Sequence, residues 1–464
     1  MKKWIAWILI GLMLLAAGCS NAKNTLDWDA IVEEAATETS EDEDIMTEEP
    51  EEDLADPFAF ETVAASPDEP VAAVGYIGGW GYINLSGQWV IAPQYDMAYP
   101  FVDNVATVQL QTGEWQLIDK SGAVLAQFPG DIQVFEPMLP HIYPGAIFDS
   151  GCTIFDGMII ICKDVDQNGV LSWQGADLFG YADIAGNIVV EPQYHNAGAF
   201  GDGLAPVDVG RPETNASGKT VILPHIGYID KTGNMVIEPK YSYADRFSDG
   251  MAIIQTDEDY PESGYIDTTG ALRLTTDHYQ YPFVDFKAGI ALILTRDGAG
   301  VVDKTGTVLG EVAGAEMQTL EFSRGMSLNY GDGFSDGLFP LFDVSMEYDA
   351  DTGFYPVGFI NTKGEFAIPA QTEWKVCQGF SNGLCMVYQG EGESDLNRKY
   401  GYIDTAGALV TPLMYSDGTM FQYDRAIVKV EEEVGVGKWY IIDKSGQTVA
   451  ELGDMLLFAQ PFTK

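Results

Sequence analysis

The chain has 464 residues, of which 70 are Asp or Glu and 24 are Lys or Arg, so its formal net charge is −46 at pH 7. So acidic a surface repels nucleic acids and anionic lipid headgroups, because the proteins that bind them electrostatically are basic. We therefore expect no nucleic-acid partner, and we interpret the charge as favouring solubility or basic partners.

The segment 1–18 has the layout of an export signal peptide. A positively charged start precedes an apolar run from Trp4 to Ala17, which is shorter than the ~20 residues that a membrane-spanning helix needs. The LAAGC segment at residues 15–19 is similar to the bacterial lipobox, with alanine where leucine is more usual. This resemblance implies cleavage before Cys19 and a diacylglycerol group on its sulfur, which would anchor the protein to a membrane on its extracytoplasmic side.

Residues 19–74 are predicted to form an acidic, disordered tether. The part from Asp27 to Glu69 contains 18 Asp and Glu residues. This segment has too little apolar surface to offset the entropy lost on ordering, and its like charges extend the chain. We expect it to hold a folded domain, residues 75–464, away from the membrane.

The predicted folded domain consists of one short unit repeated nine times. Each copy contains a phrase such as GYIDKTG (residues 227–233), in which an Asp or Asn is followed three residues later by Gly. The spacing of successive copies varies, and the longest steps predict insertions near residues 126–175 and 310–355. The nine Asp or Asn positions are Asn84, Asp119, Asp183, Asp230, Asp267, Asp303, Asn361, Asp404 and Asp443.

The repeated residues have structural interpretations. Aromatic and β-branched runs such as GYI favour strands, the Asp or Asn accepts a backbone hydrogen bond from two residues on, and the glycine closes a hairpin with positive φ. A phenylalanine, expected in the core, follows the Asp or Asn at one constant offset in four units, as Phe247 follows Asp230. Because no long helical period appears after residue 75, the sequence predicts an all-β fold.

The copy at residues 80–96, WGYINLSGQWVIAPQYD, resembles the WG-containing (KWG) repeat family of bacterial proteins, and the resemblance extends over residues 76–450. It implies a β-repeat architecture and often a cell-surface or interaction role, but no activity. Two arrangements of the units are open. Three clear strands per unit and variable steps favour an open superhelical or solenoid-like array, and the alternative is a closed β-propeller.

Two sequence patterns suggest catalysis but are interpreted as structural. The GxSxG matches around Ser335 and Ser381 lack the helix that must follow a hydrolase nucleophile, so we assign them to repeat turns. The histidines are scattered, without the spacing of a metal site: His141, His195, His225 and His278.

The DVDQNG run is the sharpest local signal for a metal. It places Asp164, Asp166 and Asn168 at alternate positions before a glycine, which suits Ca²⁺. The twelfth position of a full EF-hand loop should be Glu, and here it is Gly175. A surface calcium loop therefore stays open as one interpretation, and a hairpin turn with Asn-Gly at its tip is favoured.

Four cysteines remain in the predicted folded domain. An Asp-Gly turn at residues 156–157 would set Cys152 opposite Ile161, one step from Cys162, so a disulfide there has little support. Cys377 and Cys385 flank another glycine turn. Buried free thiols are the favoured interpretation of all four.

These observations predict a non-catalytic binding or scaffold lipoprotein displayed outside the cytoplasm, with a protein or a cell-envelope glycan as its partner. Long inserted loops and exposed aromatic side chains are the expected contact surfaces, whereas the repeated tyrosines are expected in the core. An envelope hydrolase with its site in the insertions, and a purely structural spacer, are the alternatives.

Overall fold

The computed structural model describes residues 60–135, 152–163, 177–215, 217–258, 262–276, 284–295, 298–312, 333–342, 356–377, 379–390, 398–433 and 436–464. Every helix or strand assigned within these ranges is a β-strand, which confirms the predicted all-β fold. The predicted signal peptide, Cys19 and the calcium-loop residues Asp164, Asp166 and Asn168 lie outside the described residues.

The first half of the domain contains 18 strands. They are β1 (Val71–Tyr76), β2 (Gly79–Asn84), β3 (Trp89–Tyr95), β4 (Met97–Ala98), β5 (Ala106–Gln109), β6 (Trp115–Ile118), β7 (Val124–Gln127), β8 (Ile132–Val134), β9 (Ile154–Phe155), β10 (Met158–Lys163), β11 (Leu178–Asp183), β12 (Ile188–Tyr194), β13 (Asn196–Ala197), β14 (Leu204–Asp208), β15 (Arg211–Thr214), β16 (Thr220–Leu223), β17 (Ile226–Asp230) and β18 (Met235–Ala244).

The second half continues the same pattern of short strands. They are β19 (Met251–Thr256), β20 (Ser263–Asp267), β21 (Leu272–Thr276), β22 (Ile290–Thr295), β23 (Gly298–Asp303), β24 (Val308–Val312), β25 (Leu338–Phe342), β26 (Val357–Asn361), β27 (Phe366–Gln371), β28 (Lys375–Val376), β29 (Leu384–Gln389), β30 (Lys399–Asp404), β31 (Asp417–Gly418), β32 (Arg425–Glu433), β33 (Val436–Asp443), β34 (Thr448–Gly453) and β35 (Leu456–Ala459).

The described strands form nine antiparallel blades in chain order, one for each predicted unit. Blade 1 contains β35 and β1–β3, blade 2 β4–β7, and blade 3 β8–β12. Blade 4 contains β13, β14, β17 and the first part of β18, with β15–β16 as an inserted hairpin; blade 5 contains the end of β18 and β19–β21. Blades 6, 7, 8 and 9 contain β22–β24, β25–β27, β28–β30 and β31–β34.

The ring of blades is closed, so the propeller-like alternative is the observed arrangement, and the favoured open array is not. The last strand, β35, pairs with β1, with Val74 opposite Ala459. Ala72 and Ile83 of blade 1 share a buried cluster with Ile427 and Ile441 of blade 9. Neighbouring blades elsewhere in the ring share equivalent clusters. Variable spacing does not prevent closure, because the extra residues lie between the recurring strand positions.

Each unit builds a contact between two blades. The Tyr228 hydroxyl donates a 2.8 Å hydrogen bond to the carbonyl of Asp245, and its ring packs 4.9 Å from that of Phe247. The same tyrosine-to-carbonyl bond links Tyr82 to Tyr99 at 2.7 Å. The repeated tyrosines are fully or almost fully buried, as predicted. Large aromatic rings at this point stabilise the blade interface and satisfy a buried carbonyl.

The folded domain begins earlier than the predicted residue 75. Strand β1 starts at Val71, and the Phe60 ring packs 5.3 Å from that of Trp89. Lys120 Nζ also donates hydrogen bonds of 2.8 Å to the carbonyls of Pro67 and Glu69. The acidic composition does not predict this ordered stretch, because a few apolar residues are enough to pack it against blade 1. The spans predicted as insertions, 126–175 and 310–355, contain regular blade strands together with residues outside the described ranges.

Candidate interaction surface

The GYIDKTG phrase forms a tight hairpin turn between the third and fourth strands of blade 4. The Asp230 carboxylate Oδ1 accepts hydrogen bonds from the Thr232 amide (2.9 Å), the Thr232 hydroxyl (2.6 Å) and the Asn234 amide (3.0 Å). Gly233 follows with φ of 85°, the left-handed conformation that glycine adopts without strain. The hydrogen bond from Thr232, followed by those from the two amides, lowers the pKa of Asp230 to about 2. The carboxylate is therefore ionised and fully engaged by its own turn.

The turn glycine has a second function, which is to let the next blade approach. A Cβ on Gly233 would lie 3.0 Å from the Val190 side chain of blade 3. The same contact closes the ring, because a Cβ on Gly87 would lie 3.0 Å from that of Ala450 in blade 9. Few side-chain contacts are this short, so a Cβ at these glycines would push the neighbouring side chain aside by a few tenths of an ångström, in addition to straining the positive φ.

A second set of acids joins neighbouring blades at two-residue type I′ turns. Asp249 and Gly250 both have positive φ, at 55° and 78°. The Asp249 carboxylate accepts a hydrogen bond from the amide of Gly289 in blade 6, and it lies 2.7 Å from Lys304 Nζ. The carboxylate of Asp202 bonds the Gly250 amide in the same way, at 2.6 Å. These acids stabilise the ring and are not free to act on a ligand.

The candidate nucleophiles of the sequence also belong to these turns. The Ser381 hydroxyl donates a 2.7 Å hydrogen bond to the carbonyl of Phe421, and strand β29 follows it where a hydrolase would need a helix. Ser335 is likewise followed by strand β25 and receives a 3.2 Å hydrogen bond from Lys287 Nζ. The prediction that both GxSxG matches are repeat turns is confirmed.

The histidines in the described ranges are not part of a metal site. His225 Nδ1 lies 2.6 Å from the Asp257 carboxylate, beside Arg211, at the base of the β15–β16 hairpin. His141 and His278 lie outside the described residues. Within the part of the chain that the structure covers, no three His, Cys, Asp or Glu side chains come together as a metal site. The same ranges contain no helix of the length and apolarity that spanning a membrane requires.

The four cysteines of the domain are free thiols, as predicted. Cys162 and Cys385 are fully buried in the cores between blades, and burial raises the pKa of the Cys385 thiol. Cys377 packs into the opposite interface of blade 8 from Cys385, so the two thiols cannot join without moving the strands. Cys162 and Cys385 are therefore buried core side chains, as predicted, whereas Cys152 and Cys377 are only half-buried.

Four exposed apolar side chains and the half-buried Trp80 lie near the ring closure, and we name them the closure patch: Ile77, Trp80, Met455, Leu457 and Phe458. Trp80 and Phe458 stack in parallel, with ring centroids 6.3 Å apart and planes 7° apart. They face each other across Gly75, where an added Cβ would lie 3.2 Å from the Trp80 ring. Phe458 is 58% exposed and Leu457 is 50% exposed.

Hydrogen bonds from Tyr76 and Ile77 hold Met455 of the closure patch in place. The Tyr76 hydroxyl donates a hydrogen bond of 2.9 Å to the Met455 sulfur, and the Met455 carbonyl accepts one from the Ile77 amide. Burial and the nearby Asp454 carboxylate both raise the pKa of Tyr76, whose hydroxyl bonds Met455 of the patch. Sequence reasoning missed the patch, because β35 follows the last repeat. The apolar run MLLFAQPF after Asp454 is the signal that could have shown it.

Comparison with known proteins identifies the repeat but no relative of established function. No curated protein matches the sequence. Among solved structures, the chain is similar to a eukaryotic initiation factor, with 12% identity, 85% of this chain and 98% of that chain covered, and a TM-score of 0.48. It is also similar to the dihydro-heme d1 dehydrogenase NirN in complex with DHE (11% identity, 87% and 77% covered, TM-score 0.39) and to BamB from Moraxella catarrhalis (12%, 82% and 91%, 0.30).

Similarities at this level carry no inference about function. The family model described as the WG containing repeat matches residues 80–115, 179–210, 226–260, 358–392 and 400–439. Turns with the same Asp or Asn and the same glycine recur outside the matched segments, as at Asp119 and Asp303. The chain therefore contains five segments that match the WG containing repeat, and its described strands are arranged as a closed ring of nine blades.

Proposed function

We propose that this WG-repeat protein is a lipid-anchored, non-catalytic binding module outside the cytoplasm, and that it holds a protein partner at the closure patch. One observation carries the proposal. The recurring Asp or Asn side chains bond their own turns, and Asp202 and Asp249 bond neighbouring blades, whereas the closure patch leaves large apolar side chains exposed to water. Aromatic side chains surrounded by aliphatic ones are typical of the centres of protein interfaces.

A cell-envelope glycan is the second candidate ligand, and one feature favours it. The parallel stack of Trp80 on Phe458 presents a flat aromatic surface beside the Asp454 carboxylate. The apolar face of a sugar ring packs on such a surface as an aromatic ring does. The aliphatic side chains of Met455 and Leu457 fit a polypeptide better, so the protein partner is preferred.

The binding proposal is tested by retention from envelope extracts. The full chain is purified in detergent, immobilised and incubated with the extract, in parallel with Phe458→Ser and with Met414→Ser. Met414 is also exposed but lies in blade 8, which makes it the matched control. We expect the wild type and Met414→Ser to retain the same protein and Phe458→Ser to lose it.

Equal retention by Phe458→Ser would contradict the closure patch as the binding surface, and retention of nothing would contradict the binding function. Loss of retention after glycosidase treatment of the extract would favour the glycan. A soluble form for this experiment must begin before Phe60, because a start at residue 71 would remove the Phe60 contact with Trp89 and the two carbonyls that bind Lys120.

The anchor is tested separately, in a bacterial host. We expect the wild-type chain to sediment with membranes and Cys19→Ala to be released into the soluble fraction. One lipid-modified residue provides the attachment, since the acidic surface cannot adsorb to anionic lipid by itself. Membrane association of Cys19→Ala equal to that of the wild type would refute the anchor.

A further inference from the structure

The outer edge of blade 1 is covered by the chain's own residues Phe60–Ala65. Thr62 forms a parallel bridge with Trp89 of β3, and the Val63 amide donates a 2.8 Å hydrogen bond to the Trp89 carbonyl. The Phe60 ring packs edge-on against Trp89 and Tyr76, each at 5.3 Å, and Val63 packs against the core between blades 1 and 2. This short segment is not itself a strand, but it pairs with the outer edge of blade 1 through one parallel bridge and one backbone hydrogen bond.

At the corresponding positions, blades 2 and 6 of the described structure each have two large exposed apolar side chains, and five other blades have one each: Val189, Val236, Leu272, Leu409 and Val449. In blade 1, Trp89 and Val90 are the first two residues of the strand that follows the turn at Asn84. The residues at the same distances from the turn acid are Val124 and Leu125 in blade 2, and Val308 and Leu309 in blade 6. Val90 is buried, whereas these four side chains are between 47% and 55% exposed. Strands β7 and β24 are also the end strands of their sheets. An open edge that bears an exposed Val-Leu pair is a template for strand addition.

The charge of the domain selects the occupant of these edges. Residues 60–464 contain 55 Asp and Glu against 21 Lys and Arg. A second copy of the chain would bring the same negative charge and be repelled. The nearby lysines are already engaged, since Lys304 pairs with Asp249 and Lys120 binds backbone carbonyls. A positively charged segment is therefore the complementary ligand.

We propose that β7 and β24 are docking edges for an extended, positively charged segment of a partner protein. The segment adds as a parallel strand, in the direction in which Phe60–Ala65 pairs with β3, and its apolar side chains cover Val124 with Leu125 or Val308 with Leu309. Main-chain hydrogen bonds provide attachment, and the apolar pair fixes the register. These edges form a surface separate from the closure patch.

The probe is a fluorescent peptide with the sequence of Phe58–Ala65, carrying Lys in place of Glu61 and two further lysines at each end. Its binding to the full chain is measured by fluorescence anisotropy, and its position by hydrogen exchange. A second peptide has the same side chains but N-methyl groups on alternate amides. The test variant is the double substitution Leu125→Ser with Leu309→Ser, which removes the apolar pair without adding charge, and Met414→Ser is the exposed control.

We expect saturable binding of the first peptide, protection of the β7 and β24 amides, and at least about tenfold weaker binding to the double variant. The N-methylated peptide should not bind, because it cannot complete the strand ladder. Equal binding of the N-methylated peptide, or unchanged affinity in the double variant, overturns the proposal. The latter would show that the peptide only displaces Phe60–Ala65 from β3. Protection confined to β35 would assign the binding to the closure patch instead.

Discussion

Replacement of Asp230 by alanine tests the interpretation of the repeated acid as a turn device. The carboxylate Oδ1 accepts three hydrogen bonds, two from backbone amides and one from the Thr232 hydroxyl. A single intramolecular hydrogen bond contributes about 1 kcal/mol net, because water replaces it in the unfolded chain. Water also reaches this partly exposed turn after the substitution. We therefore expect Asp230→Ala to lower the free energy of unfolding by about 1 kcal/mol, less than three full bonds would suggest.

Asp230→Asn is the matched control, since asparagine occupies the same position in two other units. Asn84 accepts hydrogen bonds of 3.0 Å from the amides of Ser86 and Gln88, and Asn361 forms the same pair with Lys363 and Glu365. The asparagine variant keeps an acceptor oxygen and loses only the charge. Its effect on the free energy of unfolding should be the smaller of the two.

The assay combines equilibrium unfolding in urea with hydrogen exchange at Thr232 and Asn234. Exchange at these two amides should accelerate about fivefold in Asp230→Ala, which corresponds to about 1 kcal/mol of local stability. Unchanged exchange and unchanged stability would refute the turn interpretation. So would an asparagine variant as unstable as the alanine one, because that result would require the charge itself.

Four further outcomes follow from the same structure. Tyr228→Phe should lower the free energy of unfolding by about 1–2 kcal/mol, because the buried Asp245 carbonyl loses its donor. The folded-state pKa of Asp230 and Asp267 is lowered to about 2. Their contribution to stability is therefore present above about pH 4 and lost as pH falls toward 2. The melting temperature should fall between pH 5 and pH 2, and it should fall less steeply in Asp267→Asn. Thiol reagents should label Cys385 only after denaturation, and reductant should leave the melting temperature unchanged. Ending the chain after Asp454 removes β35 from the core shared by blades 9 and 1, and should lower the free energy of unfolding by at least about 3 kcal/mol in urea titrations.

The local chemistry of the fold can be predicted from the sequence because each turn is encoded within one short phrase. An acid that accepts hydrogen bonds two and four residues on, followed by glycine with positive φ, needs no knowledge of the rest of the chain. The nine copies therefore predict nine blades. The same locality limits the prediction, since a turn is identical in an open array and in a closed ring.

Closure and the candidate surface depend on contacts between the two ends of the domain. Strand β35 at the end of the chain pairs with β1 at the start of the domain, and no repeated phrase marks β35. Phe458 stacks on Trp80 only after this pairing, so neither the closure patch nor the edge covered by Phe60 can be read from spacing. The acidic composition of residues 19–74 also hides the ordered segment at its end, because composition averages over residues that act individually.

The repeat unit of the sequence begins and ends at different strands from the blade of the structure. This offset explains the fixed spacing between a repeated tyrosine and the carbonyl that it binds. The matched segment 80–115 begins in the third strand of blade 1 and ends in blade 2. It contains Tyr82, Phe101 and most of the other residues of the core between these blades. One unit therefore contains most of the residues of one interface, and Tyr82 and Tyr228 have the same separation along the chain from the carbonyls that they bind. A chain of such units always leaves the first blade without its inner strand, which β35 must supply. The pairing of β35 with β1 thus completes blade 1, and the aromatic pair of Trp80 and Phe458 forms where the two ends of the domain meet.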